Sequence, residues 1–153
     1  MVSQESDGIW VTLKEVIAAN HEEVFACLTT EAGLIRWFPV TCSVDLRTGG
    51  SITLGMDAKF RRRHTLPILD YDPGGRITWG WSPGVDELVV PIHWTVTPDV
   101  EEGSRVIHRH GPFTADMEGA LLAANDAESW RWYLCNLKAV LEAKVDMRRE
   151  RPL

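Results

Sequence analysis

Between Asn125 and Val145 the chain places apolar residues at Trp130, Tyr133, Leu134, Leu137, Leu141 and Val145. That i, i+3, i+4, i+7 spacing makes one broad apolar stripe along a helix, with Arg131, Asn136, Lys138, Glu142 and Asp146 on the other side. Asn125 and Glu128 have capping-box spacing, which predicts a helix start at Asn125. Nearly everything before this stretch reads as short strands. A sheet with one apolar face needs a cover, and this helix is the segment large enough to supply it.

Residues 1 to 7 are polar and are expected to fray. Alternation predicts a first strand over Ile9–Val16. Asn20 is placed to cap a helix over His21–Leu28, and Thr30 to cap a second over Glu31–Trp37, ahead of Pro39. Further strands are expected over Val40–Leu46, Ser51–Met56, Phe60–Asp70, Arg76–Trp81, Glu87–Thr97 and Ser104–His110. The turn signals Thr48-Gly49-Gly50 and Asp72-Pro73-Gly74-Gly75 separate them. Met117–Ala124 reads as a short helix or an irregular lead-in, and the basic tail Met147–Leu153 as disordered. The order is strand, two short helices, six strands, long helix. Short turns between consecutive strands imply an antiparallel meander.

At 153 residues the chain is read as one domain over 1–153, with 1–7 and 147–153 flexible. The net charge of −6 argues against general nucleic-acid binding, which needs a surplus of Lys and Arg. MVSQESDGIW has neither a basic n-region nor an apolar core, so no secretory signal is expected. No apolar run approaches the roughly 18 residues of a membrane span. Cytoplasmic localisation is therefore the expectation, with Cys27, Cys42 and Cys135 reduced. Seven tryptophans are the compositional oddity, because large aromatics fill cores and also line pockets.

An ordered set of motifs then resembles a known family. Asp45-Leu46-Arg47-Thr48-Gly49-Gly50 is similar to the D-x-R-x-G-G signature of the Hsp90-ATPase-activator-homologue-like family. Leu34-Ile35-Arg36-Trp37, Asp70-Tyr71-Asp72-Pro73 with Ile77 and Trp81, His110-Gly111-Pro112-Phe113, and Ser129-Trp130 with Leu134 and Leu137 resemble its other motifs in the same order. The resemblance spans roughly residues 9 to 143. It implies an α+β helix-grip fold of the START/Bet v 1-like superfamily: a curved antiparallel sheet of six or seven strands around a long C-terminal helix, with two short helices after the first strand. Ser129 departs from the family's usual Gly, His108 from an aliphatic residue, and Lys59–His64 is unusually basic.

Pairing of the family type turns Val106 inward. Ser104, His108 and His110 then face the same way, towards Val90, Ile92 and Trp94. The expected cavity between sheet and helix is lined by Trp79, Trp81, Trp94, His108 and His110 and closed by Trp130 and Leu134. The plainer alternative is that these tryptophans are core. His108 and His110 have chelate spacing, but no convincing third ligand accompanies them, so neither metal nor cofactor is expected. No catalytic residue can be assigned. Arg61-Arg62-Arg63-His64 could meet an acidic group, although a solvated edge strand accounts for it more simply.

Three functions of different class follow. The preferred one is binding of a hydrophobic or aromatic small molecule, lipid- or polyketide-like, in that cavity. The second is a cyclase/aromatase- or hydrolase-type enzyme using His108 with Asp70 or Tyr71. The third, implied by the family name, is a co-chaperone-like partner of an Hsp90-type ATPase. A homodimer is admitted; nucleic acid and a membrane span are not expected.

Overall fold

A computed structural model describes residues 1–57, 59, 61–84, 87–99, 101 and 103–150. The described residues form eight strands and four helices. The order is β1 (Val2–Glu5), β2 (Gly8–Ile17), α1 (His21–Thr29), α2 (Glu31–Leu34), β3 (Thr41–Asp45), β4 (Ser51–Gly55), β5 (Arg63–Asp72), β6 (Arg76–Trp81), β7 (Val90–Asp99), β8 (Gly103–Phe113), α3 (Met117–Ala143) and α4 (Met147–Glu150). The strands form one antiparallel sheet in the order β1-β2-β8-β7-β6-β5-β4-β3. The meander from β3 to β8 thus closes on β2, and α3 lies against β2 and β8. This is the α+β helix-grip arrangement.

Alternation works as expected on the inner face. Val90, Ile92, Trp94 and Val96 of β7 are buried, as are Ser104, Val106, His108 and His110 of β8. Trp94 pairs with His108, and Ile92 with His110. Asn20 and Thr30 cap α1 and α2, accepting from Glu23 N and Gly33 N. The Asp45–Gly50 turn is pinned by an Arg47–Asp45 ion pair of 3.0 Å. Gly49 has φ +83°, and a Cβ on Gly50 would meet the Asp45 carbonyl oxygen at 2.0 Å, so both glycines are required there.

Several expectations need correction. The polar N-terminus does not fray: β1 adds an eighth strand, and Glu5 accepts two hydrogen bonds from Arg109 Nη2 at 2.9 and 2.8 Å. The second short helix stops at Leu34. The strand expected from Phe60 begins at Arg63, Phe60 itself lying outside the described residues, and β5 is flanked by β4 and β6 rather than at an edge. The strand expected from Glu87 begins at Val90. The long helix begins at Met117, not at Asn125. Asp116 is its cap, accepting from Gly119 N at 2.8 Å, and the small residues after it carry too few large apolar side chains to show a stripe. The helix ends at Ala143, with Lys144 in the left-handed region, so Val145 drops out of the stripe.

The C-terminal segment is also ordered. Asn136, expected on the polar side, is fully buried. Its Nδ2 donates to Trp37 O at 2.8 Å, and its Oδ1 accepts from Met147 N at 2.7 Å. Arg148 then donates to the carbonyl oxygens of Ile35, Phe38 and Pro39 at 2.7, 3.1 and 2.9 Å, and to Asp146 Oδ2 at 2.7 Å. Hydrogen bonds from Arg148 hold the Asp146 carboxyl down at about 2. This latch ties the end of the chain to the segment that delivers Trp37 and Phe38 into the core. Residues 151–153 lie outside the described residues.

Arg148→Ala removes charge-assisted bonds to three carbonyls and is expected to cost about 2 kcal/mol. That loss lowers Tm by about 4–8 °C for a chain of this length. Arg149→Ala, at an exposed position, leaves Tm unchanged. Thermal unfolding of the two variants side by side checks the latch.

Candidate functional site

The inner face of the sheet is wider than one helix. α3 covers the β2–β8 side, and the remainder is filled by aromatic side chains from the segment after α2 and from β6, β7 and α3. Phe38 packs on Trp130 at 5.0 Å and on Tyr133 at 4.8 Å between ring centres. Trp81 meets Trp130 edge-on at 5.1 Å. Outside this cluster a cleft of about 610 Å³ opens between α3 and the ends of β4, β5 and β6. Its walls are Phe38, Trp81, Trp130 and Tyr133. Arg63 and His64 lie at its rim, and Asp126 is set into its wall from α3. A larger depression of about 900 Å³ beside Ala18–His21 and Gly103 has neither aromatic walls beyond one imidazole nor a buried polar group, so it makes a poorer site.

The seven residues expected to line a cavity divide into two sets. Trp81 and Trp130 line the cleft. Trp79, Trp94, His108, His110 and Leu134 are buried behind them and do not reach it. Trp94 contacts His108 at 4.6 Å, and His108 lies 5.3 Å from Trp130, so this second set packs as core. Tyr71 stacks on Phe25, and Asp70 is exposed on the sheet. Neither they nor His108 line the cleft. His93, on the opposite face, meets Thr78 Oγ1 through Nδ1 at 3.1 Å.

The core behind the cleft is unusually polar. Among the described residues neither ring nitrogen of His108 has a hydrogen-bond partner, and the indole N–H groups of Trp79 and Trp94 have none either. Burial drives the His108 imidazole well below its ordinary value, and His110 beside it pushes the same way. Burial also lowers His110 to about 3, opposed by the Val90 backbone, which approaches the ring without a well-formed hydrogen bond. His110 Nδ1 lies 3.7 Å from Asp126 Oδ2. Burial raises the Asp126 carboxyl to about 6. Among the described residues no group donates a hydrogen bond to Asp126, and no cluster of three or more His, Cys, Asp or Glu is placed to hold a metal ion.

Asp126, Phe38 and Tyr133 are the part of the site that sequence reasoning missed, whereas Arg63 and His64 belong to the basic run it singled out for a possible acidic group. A signal for Asp126 existed. Stepping back four residues from Trp130 along the apolar stripe lands on it, and a carboxylate on the buried side of a helix is rare without a role. Phe38 follows the short α2 and carried no periodic pattern to show where it points.

The Asp126 shift has a stability consequence. A carboxyl whose folded value lies above its unfolded one destabilises the fold as pH rises from the unfolded value through the folded value. Moving from 3.8 to about 6 corresponds to a penalty on the order of 3 kcal/mol at neutral pH. The depressed histidines act oppositely: their contribution is present above the unfolded histidine value and is lost as pH falls. Asp126→Asn, which removes the charge and keeps the shape, is expected to raise Tm at neutral pH by about 5 °C or more. The gain should shrink as pH falls through 6 towards 4, as thermal unfolding across that range will show.

Relatives agree with this architecture. Residues 18–142 match the family described as Activator of Hsp90 ATPase homolog 1-like protein. No curated protein sequence matches. Among solved structures, the Aha1 dimer from Colwellia psychrerythraea is 20% identical with a TM-score of 0.71, over 87% of this chain and 96% of that one. Protein SSP2350 from Staphylococcus saprophyticus is 21% identical with a TM-score of 0.76, over 91% and 96%. DynU16, a protein of the dynemicin biosynthetic locus, is 21% identical with a TM-score of 0.70, over 87% of this chain and 47% of that one. Among the described residues no helix is long and apolar enough to cross a membrane. The chain belongs to the Activator of Hsp90 ATPase homolog 1-like family.

Proposed function

We propose that this protein binds a hydrophobic, aromatic small molecule in the cleft between α3 and the β4–β6 end of the sheet. The observation that carries the reading is the cleft itself. Its volume of about 610 Å³ falls in the range of small-molecule sites, and its walls are aromatic. Trp81 and Tyr133 are only partly buried, so they offer apolar surface to a ligand. Phe38 and Trp130 are tightly packed and form a rigid back wall. Such a wall needs little ordering on binding, which favours affinity. The likeness to DynU16 supports the reading only weakly, since similarity at 21% identity speaks to fold. A co-chaperone role rests on the family name alone, and no feature of the cleft favours it.

The neutral fluorescent arene N-phenyl-1-naphthylamine is a suitable probe. The wild-type protein should bind it saturably with an increase in emission. Trp81→Ala should weaken binding about tenfold, the loss of one aromatic wall contact and its buried area. Arg76→Ala, at the opposite end of β6, should bind as the wild type does. Absence of saturable binding, or equal affinity in Trp81→Ala, would remove the cleft as the site.

A further inference from the structure

Among the described residues that line the cleft, Asp126 is the one carboxylate. Its side chain is 10% exposed, against none for His110 behind it. Oδ2 is sealed from solvent and faces His110 Nδ1 at a distance too long for a good hydrogen bond. Asp126 lies well inside α3, so the helix's own N–H groups around it are already committed to carbonyls. Its other oxygen, Oδ1, is not sealed in this way and accepts no hydrogen bond from a described residue, and Asp126 lines the space walled by Trp81, Trp130 and Phe38.

We propose that Asp126, backed by His110, is the polar end of the cleft and selects aromatic ligands that carry a hydroxyl group over those that carry none or a carboxylate. This deepens the ligand-binding reading above and rests on it. The aromatic body lies against Trp81 and Trp130, and its hydroxyl donates to Asp126. Charge narrows the class further: the Asp126 carboxylate disfavours an arene carboxylate at the inner end, a penalty that a hydroxyl does not carry. His110 acts as a positioning residue: packed against Phe113 at 4.8 Å, it stands 3.7 Å behind Asp126 Oδ2 and leaves Oδ1 for the ligand.

Calorimetric titration with 2-naphthol, naphthalene and 2-naphthoate at neutral pH tests this. The wild-type protein should prefer 2-naphthol to naphthalene by about tenfold or more, the scale of a hydrogen bond to a charged acceptor, and should bind 2-naphthoate least. Asp126→Leu should abolish the preference for 2-naphthol while keeping naphthalene binding. Asp126→Asn, which retains an acceptor oxygen, should keep part of it and guards against a folding defect in the leucine variant. Equal wild-type affinity for 2-naphthol and naphthalene, or an undiminished preference in Asp126→Leu, overturns the role of Asp126 while leaving the cleft as a site. Absence of binding by any of the three arenes overturns the ligand-binding reading itself.

Discussion

The structure depends on a mismatch of widths. Eight strands present an apolar inner face, and one helix covers it. Burial of that face is the main source of stability, so the part α3 cannot reach must be filled by other means. Large aromatic rings do the filling. Trp37 and Phe38 enter from the α2 end, Trp79 and Trp81 from β6, Trp94 from β7 and Trp130 from α3. Rings of this size pack edge to face and leave irregular gaps at the margin of the cluster. The cleft lies at that margin, where the sheet has curved away from α3 and no further element arrives. The site is thus a product of the same packing that holds the fold together.

Polar groups in that packing are costly, and their distribution is informative. At the C-terminal end, the polar groups of the latch are matched: Asn136 and Arg148 donate to the carbonyls of the segment that carries Phe38, and Asp146 accepts from both. At the cleft end, His108, His110 and Asp126 are buried without such matching. On the reading proposed above, the contrast is one between polarity that holds the fold and polarity that meets a ligand. A satisfied network fixes one geometry, whereas an unsatisfied carboxyl at a cleft wall lowers stability and holds binding capacity in reserve. The two ends are coupled through Phe38, which the latch positions and the cleft uses as a wall.

The fold was largely legible in the sequence because it is written in periodicities. Alternation in β6, β7 and β8 and the stripe from Trp130 to Leu141 identified the sheet face and its cover. The ordered set of motifs from Leu34 to Leu137, with Asp45–Gly50 among them, pointed to the family. What stayed hidden has physical reasons. The first turns of α3 are built from small residues with no stripe, and β1 has no apolar face, only backbone pairing and the Glu5–Arg109 ion pair to hold it. The tail looked disordered because its anchoring lies in one arginine reaching backbone carbonyls more than a hundred positions earlier in the chain. For the site, alternation correctly turned Trp79, Trp94, His108 and His110 inward. It carried no information on how deep they sit, and depth decides whether a side chain is wall or core. Only tertiary packing put Trp81 and Trp130 at the cleft and the others behind it.

The tryptophans themselves provide the most direct test, because their indole N–H groups are separate reporters spread over the molecule. Trp81 and Trp130 line the cleft, Trp79 and Trp94 lie behind it, and Trp10 sits on the other face of the sheet with its N–H donated to Asp7 at 2.8 Å. Indole amide spectra of 15N-labelled protein, recorded during titration with 2-naphthol, should show saturable shifts at Trp81 and Trp130 and none at Trp10. Shifts confined to Trp10 or Trp132, or no saturable shift at all, would contradict a ligand site between the sheet and α3.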